Sequence, residues 1–409
     1  MERAIWAVSI SASPQNDMTL PSIVGSFRQS TLILSLKRAS SRCASTATAQ
    51  MSEEVIVEKV GNKKLLTLNR PKALNALNLP MIRHITSELK DINSGKDPAE
   101  LVILRGAGEK AFCAGGDVVA VSDSYKNGTD VCKDFFKEEY KLNQLIGTLK
   151  VPFIAVIDGI TMGGGCGLSI NGRFRVATER TLLAMPETAL GLFPDVGGTY
   201  FLSRLKNRLG MFLALTGYRL KGSDVFHSGM ATNYIPSEDV DKLVNTLLDL
   251  PKEQCTEATV DEHLDRFQEE SCKRNEIPAF TLDEHICDIK KCFNGESVEQ
   301  IFDNLKNEDK EFCTKRLQDL QKMSPTSLKV AFHQLKIGPS LKFADVFPIE
   351  YRLTQRFLQE HDFHEGVRAI LKDKDRNPKW KPSSIQEVTK EKVDWYFSPF
   401  KNPDDELKL

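Results

Sequence analysis

From Glu54 onward the chain alternates short apolar runs with longer stretches in which apolar residues recur every three or four positions. Val55-Ile-Val-Glu-Lys-Val60 and Lys64-Leu-Leu-Thr-Leu-Asn69 flank Gly61-Asn62 and predict a β-hairpin, which Pro71 closes. Leu79 to Leu89 has Pro80 at its start and apolar positions at helical spacing, and Leu101-Val-Ile-Leu104 follows as a buried strand. The alternation then returns. Glu138 to Ile146 predicts a helix ended by Gly147, Pro152-Phe-Ile-Ala-Val-Ile157 another apolar strand, and Gly163 to Asn171 a helix that starts past a glycine turn. Strands alternating with helices indicate an α/β architecture with parallel pairing.

Beyond about Asp249 the strand signals stop. Thr259 to Ser271, Leu282 to Phe293 and Val298 to Leu320 predict charge-rich helices whose charges face solvent. Phe347 to Leu371 is a helical stretch whose aromatic and aliphatic positions suit packing back over the core to complete a substrate tunnel. At the other end, Arg3, Arg28, Lys37, Arg38 and Arg42 stand against only Glu2 and Asp17 among many serines, the pattern expected of a mitochondrial transit peptide. Thr31 to Arg38 is far short of the roughly 20 apolar residues a membrane span needs. The terminal Leu407-Lys-Leu409 shares only its last two residues with a peroxisomal signal. The expected organisation is a transit peptide or disordered segment over residues 1–50, an α/β core over 51–249, and a helical region over 250–409 packing on that core.

Composition narrows the choice of function. With 409 residues and 41% hydrophobic content the chain can bury a large core. Lys+Arg at 55 against Asp+Glu at 56 leaves a formal charge of -1, which gives no overall electrostatic case for nucleic acid or an anionic membrane. The nine cysteines are scattered without zinc-ligand spacing, as expected of free thiols in a reducing compartment, and no metal is expected.

The candidate chemistry lies in three central segments. Ala111-Phe-Cys-Ala-Gly-Gly-Asp117 and Met162-Gly-Gly-Gly-Cys-Gly167 are glycine turns, each just past an expected strand and before a helical stretch. The run Gly163-Gly164-Gly165 can aim one backbone N–H at a carbonyl oxygen and Gly115-Gly116 can supply a second, together an oxyanion hole for a thioester. Each donor is worth about 3 kcal/mol in the transition state. Met185-Pro-Glu187 runs on to Pro194-Asp195, acids flanked by apolar residues whose desolvation raises their proton affinity toward that of a useful general base. Glu187 is the candidate reacting carboxylate, either as base for an attacking water or as a nucleophile that forms a mixed anhydride. Asp195 is its candidate partner and Glu139 a third acid, although a single acid is more often a helix cap or ion-pair partner. Lys72, Lys374 and Lys379 are candidate phosphate contacts, and His227 and His364 read as structural.

These segments, with Asn69-Arg-Pro-Lys-Ala-Leu-Asn-Ala-Leu77, Ala214-Leu-Thr-Gly-Tyr-Arg-Leu-Lys221 and Glu365-Gly-Val-Arg-Ala369, resemble the crotonase, or enoyl-CoA hydratase/isomerase, superfamily. The resemblance covers nearly all of residues 54–382 and implies a fold of repeated ββα units with acyl-CoA bound between two backbone amides. It carries the amides onto Gly116 and Gly164, and the substrate contacts of the family's hydrolase members onto Glu139, Gly164, Glu187 and Asp195. It also implies mitochondrial hydrolysis of a 3-hydroxyacyl-CoA in valine breakdown, with no cofactor beyond the substrate's own CoA. Assembly into homo-oligomers is a family trait, although the long helical region could cover the same surface from within one chain. Hydratase members pair the acid at Glu187 with a second glutamate directly after the cysteine of the glycine turn, where this chain has Gly167. That departure disfavours hydration or isomerisation relative to thioester hydrolysis. A catalytically silent acyl-CoA-binding protein is the reading from a different class, and retention of Glu187 and Asp195 speaks against it.

Overall fold

The computed structural model describes residues 53–409, so the expected transit peptide lies outside the described residues. The hairpin forms as expected: β1 (Val55–Val60) and β2 (Lys63–Leu68) pair antiparallel. α1 (Leu79–Asn93) is capped by the Asn78 side chain, which accepts from the Met81 amide. β3 (Leu101–Gly106) and β4 (Ala111–Cys113) follow, then α2 (Val118–Lys126) and α3 (Val131–Gly147). β5 (Phe153–Ile157), β6 (Ile160–Met162), α4 (Gly164–Ile170), β7 (Phe174–Ala177) and β8 (Leu182–Ala184) repeat the unit.

In the pairs β3/β4, β5/β6 and β7/β8 the first strand joins one sheet and the second joins another. The larger sheet has the order β1-β2-β3-β5-β7-β10, where β10 is Asn233–Tyr234, and it is parallel from β2 onward. The smaller has the order β4-β6-β8-β9, where β9 is Leu220–Lys221. This is an α/β fold of successive ββα turns. The strands of the smaller sheet are two or three residues long, too short for an alternating pattern to show in sequence.

After β8 come α5 (Gly198–Phe201), α6 (Leu209–Thr216), α7 (Ser223–His227), α8 (Ser237–Leu248) and α9 (Glu257–Cys272). Leu65, Leu101, Ile103, Ile154 and Val156 on the outer face of the larger sheet pack against Leu243, Leu247, Leu264 and Phe267 of α8 and α9. Leu66, Val102, Leu104, Ala155 and Ile157 point to the inner face and join the main core. Burial on both faces explains why β3 and β5 read as unbroken apolar runs. Lys64 is buried in β2 only because its Nζ meets Glu88 at 2.5 Å and Asp97 at 2.9 Å.

The remaining helices are α10 (Ile286–Cys292), α11 (Val298–Asn307), α12 (Glu311–Leu320), α13 (Pro325–Ile337), α14 (Phe343–Gln359), α15 (His361–Val367) and α16 (Lys390–Phe397). Three expected helices are corrected. Val298 to Leu320 is two helices, broken where Glu308 and Lys310 are extended. Phe347 to Leu371 is likewise divided, by an extended Glu360 between α14 and α15. In both cases helical spacing continued across the break and hid it. The third, α3, begins at Val131, seven residues before the expected start, because Cys132, Phe135 and Phe136 extend its buried face.

Leu264→Ala should destabilise the fold by about 2–5 kcal/mol through loss of packing on the outer sheet face. Turnover below the melting transition should be unchanged, since α9 contributes no group to the carboxyl cluster described below. Chemical denaturation and initial rates on the same sample check both.

Candidate active site

The two glycine turns meet. Leu77 donates to the Gly115 carbonyl and accepts from the Asp117 amide, both at 2.8 Å, so the chain pairs on either side of Gly116 and leaves its N–H to the site. Gly164 opens α4, where a first-turn N–H has no intrahelical acceptor. A Cβ placed on Gly164 would stand 3.3 Å from the Gly116 nitrogen and 2.5 Å from Glu139 Oε1, which puts both amides and one carboxyl around the same small volume. The preceding Gly163 has φ 47° and ψ -116°, and a Cβ there would lie 2.8 Å from Glu187 Oε1. Only glycine serves at that turn.

Three acids line this volume from three elements. Glu139 comes from the middle of α3, Glu187 from the 3-10 turn Glu187–Leu190 after β8, and Asp195 from the loop that follows. Their exposures are 2%, 4% and 4%, and none takes part in an ion pair among the described residues. Glu139 Oε1 and Glu187 Oε2 have no hydrogen-bond partner. Burial, followed by the charge of Asp195, pushes the Glu139 and Glu187 carboxyls well above the usual carboxylate range. Burial raises Asp195 to about 7, against the opposing effect of Tyr140, whose hydroxyl donates to Asp195 Oδ2 at 2.7 Å. The structure therefore brings together Gly116, Gly164, Glu139, Glu187 and Asp195. Two surface clefts of about 420 and 470 Å³ lie elsewhere, and neither is lined by these acids.

The position of the departure, Gly167, has no room for a side chain. A Cβ there would lie 2.6 Å from the Val196 Cβ and 2.8 Å from Asn143 Nδ2. Val196 is itself unusual, a β-branched residue at φ 53°, in the left-handed region where such residues are outliers. Its loop is held from four directions. Tyr140 binds Asp195, Asn171 Nδ2 donates to the Val196 carbonyl at 3.0 Å, and Gln334 Nε2 of α13 donates to the Pro194 carbonyl at 2.6 Å. From α14, the buried Glu350 accepts from the Gly197 amide at 2.8 Å, the Thr199 amide at 2.9 Å and the Thr199 hydroxyl at 2.6 Å. Burial raises Glu350 to about 8.

Sequence reasoning missed Gln334, Glu350, Asn171 and the role of Tyr140. One signal was available for Glu350, which interrupts the apolar stripe Val346, Phe347, Leu353 and Phe357 of α14. The stretch expected to pack over the core thus reaches the Asp195 loop through Glu350. His364 joins α15 to α2 by bonds to Ser122 Oγ and the Leu358 carbonyl, both at 2.9 Å, and His227 bonds the Pro278 carbonyl at 2.9 Å. Lys72, Lys374 and Lys379 are exposed. Among the described residues no group of three or more His, Cys, Asp or Glu is arranged to hold a metal ion, and no helix is long and apolar enough to cross a membrane.

A spiral of ββα turns that converges two glycine amides on buried carboxyls is the arrangement of an acyl-CoA enzyme, and comparison with known proteins agrees. The enoyl-CoA hydratase/isomerase family model matches residues 63–397, and the chain belongs to that family. A Danio rerio protein named 3-hydroxyisobutyryl-CoA hydrolase, mitochondrial, is 51% identical over 361 residues, 88% of this chain and 93% of that one. The Homo sapiens protein of the same name is 48% identical over 354 residues, 86% and 90% of the two chains. Among solved structures, a carnitinyl-CoA dehydratase from Mycobacterium thermoresistibile is 36% identical with a TM-score of 0.78, covering 87% of this chain and 98% of that one.

Glu350→Ala leaves the Gly197 and Thr199 amides buried without their acceptor and should lower unfolding free energy by about 3 kcal/mol. Glu350→Gln keeps an acceptor oxygen and should lose only about 1 kcal/mol. Denaturant titration of both variants measures the difference.

Proposed function

We propose that the chain hydrolyses the thioester of 3-hydroxyisobutyryl-CoA to 3-hydroxyisobutyrate and free CoA, a step of valine breakdown in mitochondria. The reading is carried by one observation: three buried acids surround the paired amides while Gly167, closed in by Val196 and Asn143, leaves no space for a hydratase's second glutamate. The names of the hydrolase relatives point the same way, as does the basic, serine-rich composition of the first fifty residues. Relatives of known structure named as a dehydratase and a hydratase share the fold. An enzyme that adds water across a double bond needs two carboxylates gripping that water at the position that here carries no side chain.

In the proposed mechanism the thioester oxygen accepts from the Gly116 and Gly164 amides, which are already oriented before the carbonyl becomes tetrahedral. Burial holds the Glu139 and Glu187 carboxyls well above the usual carboxylate range and raises Asp195 to about 7, so the cluster resists more than one negative charge near neutral pH. Tyr140, whose hydroxyl donates to Asp195, favours negative charge on that carboxyl. The ionised cluster takes a proton from water, the water oxygen bonds the carbonyl carbon, and the oxyanion rests between the amides. On collapse the C–S bond breaks and the captured proton goes to the departing sulfur. The reaction draws on no cofactor beyond the CoA of the substrate.

A thiol-trapping assay over a panel of acyl-CoAs tests the reading. CoA release from 3-hydroxyisobutyryl-CoA is expected, and hydration of an enoyl-CoA without CoA release overturns it. Glu187→Gln should bind substrate but lose about 10²–10⁴-fold in kcat, and near-normal turnover removes Glu187 from the reacting position. The pH profile follows from the raised acids. Asp195 is protonated below about 7 and ionised above it, and Glu187 is raised as well, so kcat/KM should climb through neutrality rather than near pH 4. Tyr140→Phe removes a bond that lowers the pKa of Asp195 and should move that limb to higher pH.

A further inference from the structure

Asn143 stands one helical turn beyond Glu139 on the same face of α3, and nothing in the mechanism above uses it. Its exposure is 0%, yet neither Nδ2 nor Oδ1 has a hydrogen-bond partner. Buried side-chain amides are nearly always paired, and an orphaned donor and acceptor on one group require an explanation. The place of the amide supplies one. Glu139 and Asn143 on α3 run beside Gly164 and Gly167 on α4: Glu139 Oε1 would lie 2.5 Å from a Cβ on Gly164, and Asn143 Nδ2 and Oδ1 would lie 2.8 and 3.1 Å from a Cβ on Gly167. Gly164 and Gly167 are one turn apart, so the amide sits about 5 Å along the helix from the oxyanion hole. That is the scale of the distance from a thioester carbonyl to a hydroxyl on the third carbon of the acyl group.

We infer that Asn143 binds the 3-hydroxyl of the acyl group and selects hydroxylated over plain acyl-CoAs. This rests on the hydrolase reading and deepens it. A hydroxyl donates one hydrogen bond and accepts others, and a carboxamide offers the matching acceptor and donor in one side chain. The attacking water already has carboxyl oxygens for its protons. A fourth acid in place of the amide would add another buried like charge to Glu139, Glu187 and Asp195, whereas the neutral amide binds a hydroxyl without that repulsion.

The test compares 3-hydroxyisobutyryl-CoA with isobutyryl-CoA, which lacks only the hydroxyl, in the wild type, Asn143→Ala and Asn143→Leu. The wild type should favour the hydroxylated substrate by at least about 10-fold in kcat/KM. Each variant should lose about 10–100-fold on 3-hydroxyisobutyryl-CoA and stay within about threefold on isobutyryl-CoA. Equal losses on both substrates overturn the inference, because a structural or water-positioning amide affects both alike. Should neither variant fold by circular dichroism, the wild-type comparison decides: equal efficiency on the two substrates overturns the inference while leaving the hydrolase reading intact. CoA release from neither substrate removes the hydrolase reading and the inference with it.

Discussion

Carboxyl groups held out of water without a cation beside them are the constraint around which this molecule is arranged. Glu139, Glu187, Asp195 and Glu350 are each almost fully buried, and among the described residues no Lys or Arg pairs with any of them. In such surroundings a carboxylate keeps its charge only where N–H or O–H groups point at it, and otherwise holds its proton. Asp195 has the Tyr140 hydroxyl and Glu350 has two amides and a hydroxyl, whereas Glu139 and Glu187 each keep an unpartnered oxygen. Burial thus raises the pKa of all four carboxyls, Asp195 to about 7 and Glu350 to about 8.

The same constraint gives the helical region its task. The Asp195 loop contains a valine in the left-handed backbone region, a conformation that persists only when its surroundings over-determine it. Gln334 and Glu350 supply part of that restraint from α13 and α14, and Ser324, at the start of α13, donates its amide to the Thr188 carbonyl beside Glu187 at 3.1 Å. Residues far beyond the last strand thus hold the loop of a candidate site whose acids and amides all precede residue 196. The charged exteriors of these helices, read from sequence as solvated faces, say little about this, because the buried stripes carry the work.

Much of the core was legible because its signals are local. The hairpin around Gly61-Asn62, the capped helix at Asn78 and the apolar strands at Leu101 and Phe153 each occupy one continuous segment with its own turn chemistry. The smaller sheet was not legible, since strands of two or three residues carry no period, and the breaks at Glu308 and Glu360 were hidden by apolar spacing that runs on across them.

By itself the sequence determined the order of the two glycine turns and the acidic loop, the family they resemble, and the absence of a carboxylate at Gly167. Those are properties of residue type and spacing. Only the tertiary structure decided that Val196 and Asn143 close the space beside Gly167, and that Glu350 clamps a loop 153 residues away from it in the chain. It also decided that Asn143 ends up buried with both amide atoms unpaired. Desolvation is a property of everything packed around a group, and the groups packed here come from segments that meet only when the chain has folded.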